Sequence, residues 1–146
     1  MAGTPKTDLR HELERDRRTA SRDYGGSVMS NSKWRVIFEA LSTAELEIQQ
    51  ITAKFIGVQE EKRMQLPWLK WTPRPYIDSI EFGPFPIVGI EWIDIPAEAE
   101  IPTSHGVRRH RQDLSLVAST LAATGRKLML EERPDALRII GHLPKN

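Results

Sequence analysis

The stretch that decides the fold is Ile87-Val88-Gly89-Ile90-Glu91-Trp92-Ile93-Asp94-Ile95, which Pro86 and Pro96 bracket. Apolar residues occupy both alternating sets of positions in this stretch, and β-branched isoleucine and valine predominate, as is typical of strands. Proline cannot donate a ladder hydrogen bond, so the two prolines mark the ends of the element. A strand that is apolar on both faces belongs in the middle of a sheet. The sequence therefore predicts a central strand over 87–95.

Two stretches carry apolar residues at the i, i+3, i+4, i+7 spacing of a helix face. The first set is Trp34, Ile37, Phe38 and Leu41, and the second is Leu114, Val117, Ala118 and Leu121. Ser32 precedes the first set, and its hydroxyl is suited to accept a first-turn N–H, which predicts an N-cap there. Gly125 suits the left-handed position after a helix, which predicts a second helix over 107–124.

Three further segments are interpreted as strands. Residues 45–56 fit a helical face as well as an alternation with one slip, and the Ile, Thr and Phe content favours the strand. Shorter strands are predicted at 128–130 and 137–141. The resulting order, α-β-β-α-β-β, predicts an α+β fold with two helices packed on one face of a small, mostly antiparallel four-stranded sheet. Because two helices cover one face only, the other face of the central strand needs a loop, a tail or a partner.

The N-terminal segment differs in composition from the rest. Residues 1–28 mix both charges and offer Leu9 and Leu13 as an isolated i, i+4 apolar pair, too little for a core face. Tyr24-Gly25-Gly26-Ser27 is typical of a flexible break. We therefore expect a flexible charged tail over 1–28 and a single α+β domain over 29–146.

Composition excludes several classes of protein. The 146 residues carry 21 basic and 20 acidic side chains and no cysteine, which excludes disulfides, thiolate metal sites and cysteine nucleophiles. No apolar run reaches the roughly 18 residues of a membrane span, and residues 1–24 lack the apolar region of a signal peptide. We expect a cytoplasmic protein without a membrane partner. The near-zero net charge hides an acidic middle, with seven basic and eleven acidic residues over 29–104, and a basic end, with eight and four over 105–146.

The search for chemistry identifies no catalytic residue, no metal ligand set and no cofactor motif. The four histidines lack the spacing of a metal site, and the chain has no phosphate-binding glycine loop or nucleophile elbow. Glu91 and Asp94 are three apart on the central strand, so alternation places them on opposite faces. We therefore interpret the chain as a binding protein rather than an enzyme, with a small enzyme whose site is unrecognised as an alternative.

Aromatic and acidic residues gather in the proline-rich middle of the chain. Trp and Tyr are typical anchors of protein interfaces, and flanking acids would form a negative rim. The candidate partner-binding residues are Trp68, Trp71, Tyr76, Asp78, Glu81, Glu91 and Asp94. An alternative surface is the basic run Arg108, Arg109 and Arg111, which the predicted helix start would present to phosphates. The pI of about 8.1 lies below the value of about 9 that is typical of nucleic-acid-binding domains, so nucleic acid is disfavoured.

Several motifs together resemble an uncharacterised family of small bacterial proteins, known chiefly as a domain of unknown function. They are Lys33-Trp34-Arg35, Tyr76-Ile77-Asp78-Ser79, Phe82-Gly83-Pro84-Phe85, Glu91-Trp92-Ile93-Asp94-Ile95 and Leu137-Arg138-Ile139-Ile140-Gly141. The resemblance covers roughly residues 32–142 and implies no catalytic residues. The size and style are similar to immunity proteins that neutralise bacterial toxins, by analogy only. The expected partner is thus another protein, such as a basic toxin domain, and a second copy of the chain is compatible with the same surface.

Overall fold

The computed structural model describes residues 5–69 and 72–145. Within these ranges the helices are α1 (Pro5–Asp23), α2 (Asn31–Leu41) and α3 (Leu114–Ala123), and 3₁₀ turns span Ala44–Leu46 and Ile87–Gly89. The first strands are β1 (Tyr24–Ser27), β2 (Ile51–Phe55), β3 (Lys62–Met64), β4 (Tyr76–Ile77) and β5 (Phe85–Pro86). The later strands are β6 (Ile90–Pro96), β7 (Glu98–Thr103), β8 (Gly106–Arg111), β9 (Leu130–Arg133), β10 (Ala136–Ile140) and β11 (His142–Pro144).

The main sheet has five strands over the described ranges, in the order β3-β2-β6-β10-β9, and all neighbours are antiparallel. The α+β class and the central place of β6 are confirmed. The predicted arrangement of four strands and two helices is wrong, because the described chain has three helices and a fifth strand, β3, at one edge. The sequence Lys62-Arg63-Met64 is too short and too polar for its pattern to predict a strand. Pairing with β2 is what stabilises it.

The core lies between one face of the sheet and helices α2 and α3. The predicted stripe of α2 is confirmed, since Trp34, Ile37, Phe38 and Leu41 are all buried. They pack with Val117 and Leu121 of α3 and with a set of alternating sheet residues: Ile51, Ala53, Ile93, Ile95, Leu137 and Ile139. The N-cap of α2 is Ser30 rather than Ser32, because the Ser30 hydroxyl accepts the Lys33 N–H at 3.0 Å.

The second helix begins later than predicted. Residues 106–111 form β8, which pairs with β7 in a hairpin, and α3 starts only at Leu114. Asp113 caps the start of the helix by accepting the Leu116 N–H at 3.1 Å, a start signal that the apolar spacing alone does not reveal. Gln112 is buried beside it, and its amide group bonds to the backbone at Gln49, Gln50 and Pro96. These bonds hold the base of the hairpin against the start of β2.

Residues 5–28 form a helix and a strand in the structure, which differs from the flexible tail expected for 1–28. Leu13 and Asp16 of α1 are buried, and Asp16 lies against the turn at Gly89. A Cβ at Gly89 would lie 2.5 Å from the Asp16 carboxylate, so a side chain at position 89 would displace that carboxylate. β1 then pairs with β11 as a two-stranded ribbon. The face of α1 that packs against the rest of the protein thus includes Asp16 in addition to the Leu9–Leu13 pair.

A bulge in β6 changes the direction of its side chains. Lys54 pairs with Trp92 and Phe55 with Ile90, so Glu91 is an extra residue opposite β2. Ile90 therefore joins Ile93 in the core, and the Glu91 carboxylate reaches Lys54 on the face turned away from the helices. The alternation expected over 87–95 is wrong at this point, and the first three residues form a 3₁₀ turn instead of strand.

Candidate functional site

Trp68 and Asp78 bring two distant parts of the proline-rich loop together. The Trp68 N–H donates to the Asp78 carbonyl at 2.9 Å, and the Asp78 N–H donates to the Trp68 carbonyl at 3.2 Å. Two residues before Asp78, Tyr76 pairs with Pro86 in the short β4–β5 ribbon. Arg35 of α2 donates to the Tyr76 carbonyl at 3.2 Å, which ties the loop to the core helix. Trp71, also a predicted site residue, lies outside the described residues.

Three large apolar side chains of this region face solvent. Trp68 is 40% exposed, Ile80 is 63% exposed and Phe82 is 44% exposed. Phe82 lies edge-on to Phe55 of β2, with ring centroids 6.1 Å apart. The sequence analysis singled out Trp68 but neither Ile80 nor Phe82 as a partner-binding residue, although both lie beside the predicted Glu81. We call Trp68, Tyr76, Asp78, Ile80, Glu81 and Phe82 the loop surface.

The two acids of the loop surface bond to backbone rather than to cations. The Asp78 carboxylate accepts the Ser79 N–H at 2.9 Å, and the Glu81 carboxylate accepts the Gln65 N–H at 3.0 Å. Neither forms an ion pair with a side chain of 9–69 or 72–145. A carboxylate held by one backbone N–H keeps most of its acceptor positions open. These two acids therefore present negative charge to solvent.

The other two predicted acids lie elsewhere and are neutralised. Arg138 of β10 binds Asp94 through two hydrogen bonds of 2.7 and 3.0 Å, a forked geometry that guanidinium groups favour. The same guanidinium lies 3.5 Å from the centroid of the Trp92 ring. The sequence analysis left open what covers the second face of β6, and Arg138 stacked on Trp92 is part of the answer. Asp94 thus serves to hold this arginine.

Glu91 belongs to a second neutralised group on the same face of the sheet. It accepts from the Tyr24 hydroxyl at 2.7 Å and from the Lys54 ammonium at 3.1 Å. Burial, together with the bond to Glu91, raises the pKa of Tyr24 to about 12. This triad joins β1 to β2 and β6, so its arrangement explains how the ribbon of β1 and β11 is attached. The structure therefore does not unite Glu91 and Asp94 with the loop surface.

The basic run lies on β8 and is divided between the two faces of the hairpin. Arg109 lies opposite Glu100 and forms ion pairs with Glu98 at 3.9 Å and Glu100 at 3.7 Å. Arg108 points the other way and donates to the Gln49 side chain at 2.7 Å. Arg111 lies opposite Glu98. The predicted helix start is wrong, because strand alternation separates neighbouring arginines that a helix turn would have grouped.

A cavity of about 190 Å³ lies where α1 meets the sheet, a place that the sequence analysis did not identify. Phe55, Phe82 and Phe85 line it together with Asp16. The Asp16 residue is 8% exposed. Burial raises the pKa of Asp16, and the Arg15 guanidinium 3.6 Å away partly opposes that effect. A buried acid with a shifted pKa beside a cavity is a typical feature of functional sites. The only sequence signal was its i+3 position relative to Leu13.

His142 is a second buried polar group near α1. Its Nε2 lies 2.7 Å from the Val88 carbonyl, and a carbonyl only accepts, so this nitrogen carries the hydrogen. Its Nδ1 is buried and has no hydrogen-bond partner among the described residues. The ring lies 5.6 Å from that of Tyr24. In the part of the chain that the structure describes, no three His, Asp or Glu side chains are grouped so as to hold a metal ion.

A family model described as a family of unknown function, DUF6678, matches residues 17–146. The chain belongs to this family. The resemblance to an uncharacterised family is thereby confirmed. No curated protein and no solved structure matches the DUF6678 chain significantly.

The extent of the family match also bears on the N-terminal segment. The matched region of this DUF6678 protein begins inside α1 and includes all of β1. It therefore reaches into the segment that the sequence analysis assigned to a tail. No helix among the described residues has both the length and the apolar character to cross a membrane.

Proposed function

We propose that this DUF6678 protein is a non-enzymatic protein-interaction domain that binds its partner through the loop surface. The observation that carries the proposal is the joint exposure of Trp68, Ile80 and Phe82 beside carboxylates that form no ion pair with the described side chains. Large apolar side chains that stay in water, grouped on one loop region and rimmed by polar groups, are typical of interaction sites. Trp68 supplies the residue type that most often dominates interface energetics.

The backbone around these side chains is arranged to hold them in place. The Trp68–Asp78 bridge joins the two arms of the loop, and the turn at 79–83 is closed by reciprocal bonds of 3.0 and 3.1 Å between Ser79 and Gly83. Gly83 adopts a φ of 67°, in the left-handed region that favours glycine. Side chains presented on a braced loop lose less conformational entropy on binding than those on a free one. The loop surface is therefore suited to anchor a partner.

The charge of the loop surface favours a basic partner. Among the side chains of 9–69 and 72–145, Asp78 and Glu81 have no cationic partner, whereas Glu91 and Asp94 are neutralised by Lys54 and Arg138. Opposite charge at the rim of an interface speeds association and selects against acidic partners. A basic toxin domain has this character, and the analogy with immunity proteins motivates it as the specific proposal. We place this encounter in the cytoplasm, a reducing compartment where proteins rarely use disulfides, and this chain has no cysteine.

Affinity capture from a lysate of the source organism tests the proposal. The bait variants are wild type, Asp78→Lys with Glu81→Lys, and a control with Glu39→Lys and Glu45→Lys. The control makes the same change in net charge at exposed positions of α2 and the turn after it. We expect quantitative mass spectrometry to show a basic protein that wild type and control retain at low salt and the loop variant loses. Equal retention by all three baits would show that the loop surface is not the binding site.

A further inference from the structure

The cavity beneath α1 combines an aromatic floor with charges of both signs. Phe55 is the centre of the floor, with Phe85 at 5.3 Å and Phe82 at 6.1 Å between ring centroids, both edge-on. Ile56, Val58 and Pro86 complete the apolar lining. Edge-on packing leaves ring faces and edges available to a further apolar group. The floor is therefore suited to an aliphatic or aromatic side chain.

The rim of the cavity carries two carboxylates and two cations. Glu12, Arg15 and Asp16 come from α1, and Lys62 comes from β3. Among the side chains of 9–69 and 72–145, Asp16 is paired only with Arg15, at 3.6 Å, and the Arg15 side chain is largely in solvent. Within the same ranges the Lys62 ammonium group forms neither a hydrogen bond nor an ion pair. Both signs of charge are thus available at the opening, each with unused hydrogen-bonding capacity.

Burial makes Asp16 costly for the fold in the absence of a ligand. A carboxylate removed from water without good hydrogen bonds is unfavourable, and the raised pKa of Asp16 reflects that desolvation. The carboxylate lies against the neighbouring Gly89, where a Cβ would displace it. An apolar residue at position 16 would close the helix face more cheaply. The acid is therefore better explained by a bound group than by packing.

We propose that this cavity binds a small zwitterion with an apolar side chain, of the chemical class of the hydrophobic α-amino acids. The ammonium group would bond to Asp16 and Glu12, the carboxylate would bond to Lys62 and Arg15, and the side chain would lie on Phe55, Phe82 and Phe85. The volume of about 190 Å³ is below the roughly 300–1,000 Å³ of pockets for drug-sized ligands, and suits a molecule of this size. The cavity shares Phe82 with the loop surface, but the ligand proposed here does not depend on the partner proposed for that surface.

Titration of the full chain with three matched probes tests the proposal by ¹H–¹⁵N NMR. The probes are L-phenylalanine, 2-phenylethylamine, which lacks the carboxylate, and 3-phenylpropionate, which lacks the ammonium. We expect L-phenylalanine to shift the amides of Val58 and Phe82 in a saturable manner and to leave Val107, on β8, unchanged. Each truncated probe is expected to bind about tenfold more weakly, since each loses charge-assisted hydrogen bonds. Equal affinities for all three, or no saturable shift with L-phenylalanine, would overturn the proposal.

Two variants assign the charges to the ligand groups. Asp16→Asn is expected to weaken L-phenylalanine about tenfold and to leave 3-phenylpropionate unchanged, because that probe has no ammonium. Lys62→Gln is expected to weaken L-phenylalanine and to leave 2-phenylethylamine unchanged, because that probe has no carboxylate. Lys127→Gln, a cation remote from the cavity lining, is the matched control. Well-dispersed spectra of each variant establish that it folds, and an Asp16→Asn protein that binds all probes as wild type does would contradict the assignment.

Discussion

The face of the main sheet turned away from α2 and α3, which we call the open face, differs from the region around the loop surface in how its charged side chains are paired. On the open face, Asp94 is bound by Arg138 and Glu91 by Lys54 and Tyr24, so each carboxylate has a partner chosen by strand register. Around the loop, the side chains of 9–69 and 72–145 leave Asp78 and Glu81 with backbone donors only and give Asp16 one weak pair. Half-buried charges that are matched stabilise a fold, whereas unmatched ones mark places where a ligand completes the site. The difference teaches that acidic residues near one another in sequence need not share a role.

The largest expected effect comes from breaking the matched side of the comparison. Arg138→Ala leaves Asp94 half-buried without a cation and removes the group that covers Trp92. We expect a loss of roughly 3 kcal/mol in the free energy of unfolding, measured by urea denaturation. The exposed ion pairs of Arg109 provide the control, and Arg109→Ala should change stability by less than about 1 kcal/mol. Similar losses in the two variants would show that Arg138 is not a structural partner.

The Tyr24–Glu91 bond gives a spectroscopic test of the same face. The chain has two tyrosines, so a Tyr76→Phe background isolates Tyr24 in an ultraviolet pH titration. Tyr24 should titrate with a pKa near 12, because burial and the bonded carboxylate both disfavour the phenolate. Glu91→Gln removes the negative charge, and the pKa should move toward the ordinary value of about 10. In stability, Tyr24→Phe should cost about 1.5–3 kcal/mol, the usual range for a hydrogen bond to a charged group.

The pH dependence of stability tests whether the buried Asp16 carboxylate, unlike that of Asp94, destabilises the fold. Its folded-state pKa is raised above the ordinary value of 3.8, so the folded protein binds this proton more tightly than the unfolded chain does. The associated stability is fully present below 3.8 and is lost as the pH rises through the folded pKa. Asp16→Asn should therefore unfold at a higher temperature than wild type at neutral pH. The same variant loses the carboxylate that is proposed to bind the ammonium group of the ligand.

The control for Asp16 is the pH dependence of the difference between the two proteins. The advantage of Asp16→Asn over wild type should shrink as the pH falls and vanish well below 3.8, where Asp16 is protonated in the folded and the unfolded chain alike. An advantage that stays constant with pH would show that desolvation of the Asp16 charge is not its cause.

The smallest effect on stability is expected at Ile80. This side chain is largely in solvent, so Ile80→Ser should change the free energy of unfolding by less than about 0.5 kcal/mol. Retention of the captured partner should nevertheless fall, because an apolar anchor is removed from the loop surface. The matched control is Val107→Ser, at the exposed apolar position on β8. Loss of partner binding in the control alone would show that the partner binds the β7–β8 hairpin instead of the loop surface.

Part of the fold was predictable because it depends on short-range periodicity. The buried stripe from Trp34 to Leu41 and the final strand near 137–140 follow from spacing, and both are confirmed. The second helix was predicted too long, since Arg108 and Arg109 tolerate helix and strand alike and the hairpin depends on pairing with 98–103. Trp68, Asp78 and Glu81 of the candidate site were identified from residue type. Ile80 was not among the predicted residues, since exposure of an apolar side chain has no sequence signature.

The sequence by itself determined the class of the fold and its central strand, because apolar content and proline brackets act locally along the chain. Only the tertiary structure decided which charges are matched. The bulge at Glu91 turns that carboxylate toward Lys54, and the register of β10 places Arg138 opposite Asp94. Docking of α1 buries Asp16 beside Phe55. Each of these depends on residues far apart in the chain, where pairing energy and desolvation, rather than propensity, select the arrangement.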